Sequence, residues 1–353
     1  MAAVNVVIAL GIAPELLERI RAVDERLHVA VLSRAERQLY RGGRPLWVGY
    51  QERADGADQD EAAAHASLLA TLSEAEVLLT TPIVPPDLPE LAPRLRWLQL
   101  TSAGVDRLLD GPVLRSGITV TTASGIHAIP IGEYVLGAML ALAKGFPQAM
   151  AAQRERAWRP YLPEELHGKT VGIVGLGAIG REVARLARAF GMRVLACRRS
   201  CRQPQERPPE APEVDLLLPA ADLPRLLAEA DYVVLAVPLT PETRGLIGRD
   251  ELAAMKEGAR LVNVARGAVV DEEALVEALR SGHLAGAVLD VFQHEPLPAD
   301  SELWDLPGVL LTPHVSGGTP RYMERAIELF CDNLRRYLSG QPLRNVVDPQ
   351  RGY

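Results

Sequence analysis

Arg266, Glu295 and His314 stand 29 and 19 residues apart, in the stretches NVARG (263–267), DVFQHEP (290–296) and TPHVSG (312–317). Each stretch lies at or just after the end of an apolar run that reads as a strand, where open α/β sheets put their ligand crevice. The three residue types suit proton-coupled chemistry on a small anion. Arginine offers a planar fork suited to pairing with an anion. Histidine donates or accepts a proton, and a carboxylate beside it holds the ring in one tautomer. A lone histidine is more often a helix cap or a core residue.

A second stretch, GLGAIG (175–180), follows the apolar run TVGIV and opens the helical pattern IGREVARLARAF. That context gives a short glycine pattern its meaning. Gly175 permits the tight turn, Gly177 lets the backbone approach a pyrophosphate, and Gly180 lets helix and strand pack closely. The opening amides, at Ala178 and Ile179, face the phosphates. The next strand ends in VLACRRS (194–200), where such folds usually carry a carboxylate for a ribose. Arg198, 23 residues after Gly175, does the reverse and attracts a 2′-phosphate. Arg199 can stack on adenine or add charge, and Ser200 can donate a hydroxyl. The alternative is two solvated surface arginines. The reading favours NADP(H), with NAD(H) possible, and no metal.

The elements that must position these residues are strands alternating with helices, which predicts an α/β fold with parallel sheets. Strands are expected at 4–10, 76–81, 95–100 and 119–123, with helices near 14–26 and 61–73. A long apolar helix should cover 129–143. Strands near 170–174, 192–197, 231–238, 259–265, 286–292 and 308–313 follow, with a Pro-rich loop at 204–215. A last helix, 320–338, has no strand of its own and should pack back onto the first part. The expected architecture is two Rossmann-like or flavodoxin-like domains with an active-site cleft between them. A discontinuous outer, substrate-binding domain (1–117 plus 319–353) flanks a dinucleotide-binding domain (118–318).

The 353 residues carry a net charge of −7, which offers no basic footprint for nucleic acid. Residues 131–145 are apolar but too short to span a bilayer. Three scattered cysteines, Cys197, Cys201 and Cys331, suit neither a disulfide framework nor a zinc site. With no basic segment ahead of VNVVIAL, the expected location is the cytoplasm.

From LRWLQLTSAGVD (95–106) onward the chain resembles the D-isomer-specific 2-hydroxyacid dehydrogenases, the family of glyoxylate/hydroxypyruvate reductases and phosphoglycerate dehydrogenases. VPLTPETRGLI (237–247) and DEEALVEALRSGHLAGAVLDVF (271–292) carry the likeness further. The resemblance implies reduction of a small 2-oxo acid to a D-2-hydroxy acid. Arg266 binds and polarises substrate, His314 is the acid/base, and Glu295 orients it. Formate dehydrogenases carry Gln where Glu295 stands, which argues against formate. Asp290 matches the residue at the nicotinamide carboxamide. Val237, Pro238, Thr243, Val264, Ala265 and Gly317 match further cofactor positions. Ser102, Ala103 and Gly104 form a turn whose amides would hold the substrate carboxylate. Residues near 46–50 or 80–83 should face its variable group. His127 is read as a local hydrogen-bonding residue, and Trp158 as an anchor in a homodimer formed through helix 129–143 and the arm to Leu166. An NAD-linked hydroxyacid or phosphoglycerate dehydrogenase is the alternative enzyme. A dinucleotide-sensing corepressor is the alternative of another class.

Overall fold

The computed structural model describes residues 3–44, 61–105, 108, 109 and 111–349. The chain divides into two compact units, Met1–Ile126 with Thr319–Tyr353, and His127–Gly318.

In the first unit, β1 (Val4–Ile8), β2 (Leu27–Val31), β3 (Val77–Thr80), β4 (Trp97–Leu100) and β5 (Thr119–Thr121) form a parallel sheet. Their order is β2-β1-β3-β4-β5, the flavodoxin-like winding. The central strands β3 and β4 are buried at every position because helices cover both faces. The helix Tyr322–Leu338 returns to this unit and sets Phe330 against Trp97, ring centroids 5.3 Å apart. Two expectations shift here. The helix expected over 14–26 ends at Arg21, and residues 27–31 form the edge strand β2, whose alternating exposure left too weak an apolar run to read. The boundary expected at 117/118 falls at 126/127, because β5 pairs with β4 and belongs to the first sheet.

The second unit holds β6 (Thr170–Val174), β7 (Arg193–Arg198), β8 (Gln205–Glu206), β9 (Leu216–Pro219), β10 (Tyr232–Leu235), β11 (Ala259–Asn263), β12 (Leu284–Leu289) and β13 (Val309–Leu311). Their order is β13-β12-β11-β10-β6-β7-β9-β8. All pairings are parallel except β8 with β9. The antiparallel β8 lies inside the stretch expected to be wholly loop. From β6 the chain winds outward through β7 and β9, then returns to lay β10 on the other side of β6. The switch point therefore lies between β6 and β10, beside Gly175.

The helix Ala178–Ala189 buries Gly180, Val183, Ala184 and Ala187, an apolar stripe at helical spacing. Across it lies the helix Ala128–Ala143, where a Cβ on Gly132 would come within 2.6 Å of Glu182 Cγ. Gly145, at φ +65°, turns the chain into the helix Phe146–Arg154. No single helix among the described residues is long and apolar enough to cross a membrane.

Candidate active site

Six strands of the second sheet end level. The register runs Leu311–Leu289–Asn263–Leu235–Val174–Cys197 across β13, β12, β11, β10, β6 and β7. The residues singled out by chemistry in this unit lie in the loops that follow these positions.

Gly175 has φ +102°, and a Cβ there would lie 2.6 Å from the Ala236 carbonyl oxygen. The loops after β6 and β10 thus touch at the switch point. A Cβ on Gly180 would stand 2.1 Å from the Gly175 carbonyl oxygen, so only glycine lets the helix start this close. At Gly177 a Cβ would meet no protein atom within 4 Å. Packing demands glycine at 175 and 180, whereas the space around 177 is open. With the opening amides of Ala178, Ile179 and Gly180 lacking intrahelical acceptors, this cradle fits a dinucleotide pyrophosphate. Val237 and Pro238 open the neighbouring loop, which Thr243 ties together: its Oγ1 donates to the Pro238 carbonyl (2.6 Å) and accepts from Thr240 N (2.8 Å).

Arg198 ends β7, with Arg199 and Ser200 exposed beyond it. Its Nη2 donates to Glu210 Oε1 at 2.8 Å, while its Nε is buried with no hydrogen-bond partner among the described residues. Glu210 was no part of the sequence reading, since nothing in a Pro-rich run marks one of its carboxylates as special.

At the other end of the edge, His314 Nδ1 lies 2.8 Å from Glu295 Oε2. A carboxylate only accepts, so Nδ1 carries the proton and Nε2 is the ring atom left for chemistry. Glu295 Oε1 accepts from Phe292 N at 3.1 Å, which fixes the carboxylate itself. The half-buried Arg266 donates through Nη1 to the Ala265 carbonyl. The wholly buried Asn263 holds that turn, accepting from Ala265 N and donating to the Arg266 carbonyl. Val264 and Ala265 are themselves buried, so what they offer a ligand is backbone. A Cβ on Gly267 would fall 2.0 Å from the Phe292 carbonyl oxygen and 2.3 Å from Gln293 N. The Arg266 loop therefore lies directly on the loop that carries Glu295.

Asp290 directly follows β12. It is fully buried, and its carboxylate accepts from Thr312 Oγ1 (2.5 Å), Val315 N (2.8 Å) and Ser316 N (2.9 Å). Its backbone carbonyl takes His314 N as well. Its work here is to clamp residues 312–316 while His314 sits at φ +54°, a region L-residues seldom occupy. Tyr134, on the helix Ala128–Ala143, extends the clamp: its hydroxyl lies 2.6 Å from Thr312 Oγ1. Burial pushes that phenol up to about 12, so it stays neutral. Neither Tyr134 nor Thr312 announced itself, because the contact spans 178 residues. Gly317 runs past His127, where a Cβ would meet the ring at 3.0 Å.

In the first unit, Ser102, Ala103 and Gly104 follow β4. Ser102 Oγ donates to the Gly104 carbonyl at 2.9 Å and closes the turn. The Ser102 carbonyl accepts from Ala123 N. Among the described residues neither Ala103 nor Gly104 donates its amide, which suits an anion. Of the stretches expected to face the variable group, 46–50 lies outside the described residues, while Thr80, Thr81 and Ile83 are buried.

Residues 136–316 match the family described as D-isomer specific 2-hydroxyacid dehydrogenase, NAD binding domain. A glyoxylate reductase of Thermococcus gammatolerans is 40% identical over 73% of this chain and 78% of its own. A D-3-phosphoglycerate dehydrogenase of Methanocaldococcus jannaschii is 36% identical over 85% of this chain, which spans only 56% of that relative's length. Among solved structures, a D-isomer specific 2-hydroxyacid dehydrogenase of Xanthobacter autotrophicus, in complex with NADPH and MES, superposes over the whole of both chains with TM-score 0.78 at 31% identity. Together with the glycine cradle and the paired His314 and Glu295, these matches identify the chain as a member of the D-isomer-specific 2-hydroxyacid dehydrogenase family.

Proposed function

We propose that this protein reduces small 2-oxo acids of the glyoxylate or hydroxypyruvate type to D-2-hydroxy acids, with NADP(H) preferred over NAD(H). The observation that carries this reading is the 2.8 Å His314–Glu295 pair, held at a strand end beside the Arg266 loop. The nicotinamide supplies the hydride when bound. His314 Nε2 donates the proton that the carbonyl oxygen takes up, and accepts it in the reverse direction. Glu295 keeps Nδ1 protonated and so keeps Nε2 the reactive atom. Arg266 pairs with the substrate carboxylate and polarises the adjacent carbonyl. The resemblance assigns the amides of Ala103 and Gly104 to that same carboxylate. Arg198 is assigned the 2′-phosphate.

The glyoxylate reductase relative supports the substrate class, and the NADPH-bound neighbour supports the cofactor. The phosphoglycerate dehydrogenase relative keeps an NAD-linked enzyme as the second reading. Assays of glyoxylate, hydroxypyruvate and 3-phosphohydroxypyruvate with each cofactor separate the two. Turnover of the phosphorylated acid alone, with NADH, would overturn the first reading. His314→Ala should cost ~10²- to 10⁴-fold in kcat while leaving cofactor affinity unchanged.

A homodimer belongs to the same proposal. Trp158 and Leu162 are each 95% exposed, and Phe146 and Met150 more than half exposed, along the helix and arm that follow Ala143. Such an apolar strip suits burial between copies. Light scattering at micromolar concentration should give twice the chain mass; the mass of one chain would refute it.

A further inference from the structure

We infer that Glu210 is a cofactor-selecting residue, which competes with the 2′-phosphate for Arg198 and accepts hydrogen bonds from an unphosphorylated ribose. This rests on the assignment of Arg198 to the adenosine end of the cofactor. The geometry is specific. Glu210 Oε1 sits 2.8 Å from Arg198 Nη2, on the first strand after the glycine cradle. The backbone that delivers it is pinned: Arg181, in the helix that opens at the cradle, donates from Nη1 to the Glu210 carbonyl. The adjoining Ala211 is buried in the same apolar cluster as Val183 and Ala184 of that helix. The carboxylate is therefore presented by anchored chain and not by a free loop tip.

The charges then sort the cofactors. With Arg198 neutralised by Glu210, an arriving phosphate must displace a carboxylate before it gains its charge-assisted bonds. A ribose bearing free 2′- and 3′-hydroxyls instead finds an acceptor where dinucleotide folds commonly supply an acidic residue. One pair thus serves both cofactors and narrows the preference that Arg198 alone would give.

Calorimetric titration with 2′,5′-ADP and 5′-AMP, which differ only by the 2′-phosphate, tests this without turnover. Glu210→Gln should bind 2′,5′-ADP about fivefold more tightly, the scale of one exposed charge interaction, and 5′-AMP more weakly. Arg198→Ala should lose affinity for 2′,5′-ADP, and adding Glu210→Gln to it should restore only the small part that comes from relieving direct repulsion. If Glu210→Gln shifts both probes equally, or neither, while Arg198→Ala still weakens 2′,5′-ADP, Glu210 is a structural partner only and the inference falls alone. If Arg198→Ala leaves the ratio of the two affinities unchanged, the Arg198 assignment falls and takes the inference with it.

Discussion

Asp290→Asn separates holding the catalytic loop from touching the cofactor. The substitution keeps shape and removes charge. Oδ1 of Asp290 accepts two donors and Oδ2 one, all within 2.9 Å. If the Asn oxygen keeps the two-donor side, its NH₂ faces Ser316 N, donor against donor. One charge-assisted bond is lost outright, worth about 1.5–3 kcal/mol. Holding His314 at φ +54° costs roughly 1–3 kcal/mol, so the clamp and the strain are of similar size. Losing about 2 kcal/mol from the clamp should leave His314 in place for only a few per cent of the time. That predicts a fall in kcat of about 15- to 30-fold, with cofactor affinity nearly unchanged. Steady-state kinetics with glyoxylate, set beside NADPH fluorescence titration, reads both quantities. A variant with normal kcat and weakened NADPH binding would show that Asp290 serves the carboxamide after all.

Tyr134→Phe removes only the outermost link of the same clamp, so kcat should fall less, by about two- to fivefold, with the melting temperature close to that of the wild type; an equal loss in both variants would mean the chain from Tyr134 to Asp290 acts as one unit. Gly267→Ala drives a methyl into the Phe292–Gln293 peptide and should cost about 1–3 kcal/mol of stability along with most activity, read by thermal melting and kcat. Glu164 is held below the usual carboxylate range by its hydrogen bond from Arg260, against the opposing effect of burial. Its contribution is present above the ordinary glutamate range and fades as pH falls through it, so the stability gap between wild type and Glu164→Gln should shrink on acidification from pH 7 to pH 4.

What could be read from the sequence was whatever is local. The glycine cradle lies within six residues, and the requirement at Gly175 and Gly180 is steric at short range. Parallel strands such as TVGIV and VLLT are buried at every position and mostly apolar, so their runs stand out. The edge strand β2 does not, since one of its faces is partly wet. The two-residue β8 exists only because β9 lies beside it, and no local pattern encodes such a pairing.

The site divides along the same line. Arg266, Glu295 and His314 were legible because proton transfer and anion binding restrict residue type, and strand ends restrict place. Their supports were not. Asn263, Thr312 and Tyr134 are common residues whose roles come from distant partners: Tyr134 reaches Thr312, and Thr312 reaches back to Asp290, 22 residues earlier. Asp290 shows the limit most clearly. Matched position suggested a contact with the cofactor, but gave no sign of the three donors through which Asp290 also holds residues 312–316. Chemistry limits which residues can react; packing decides which residues keep them in place, and packing is a property of the folded whole.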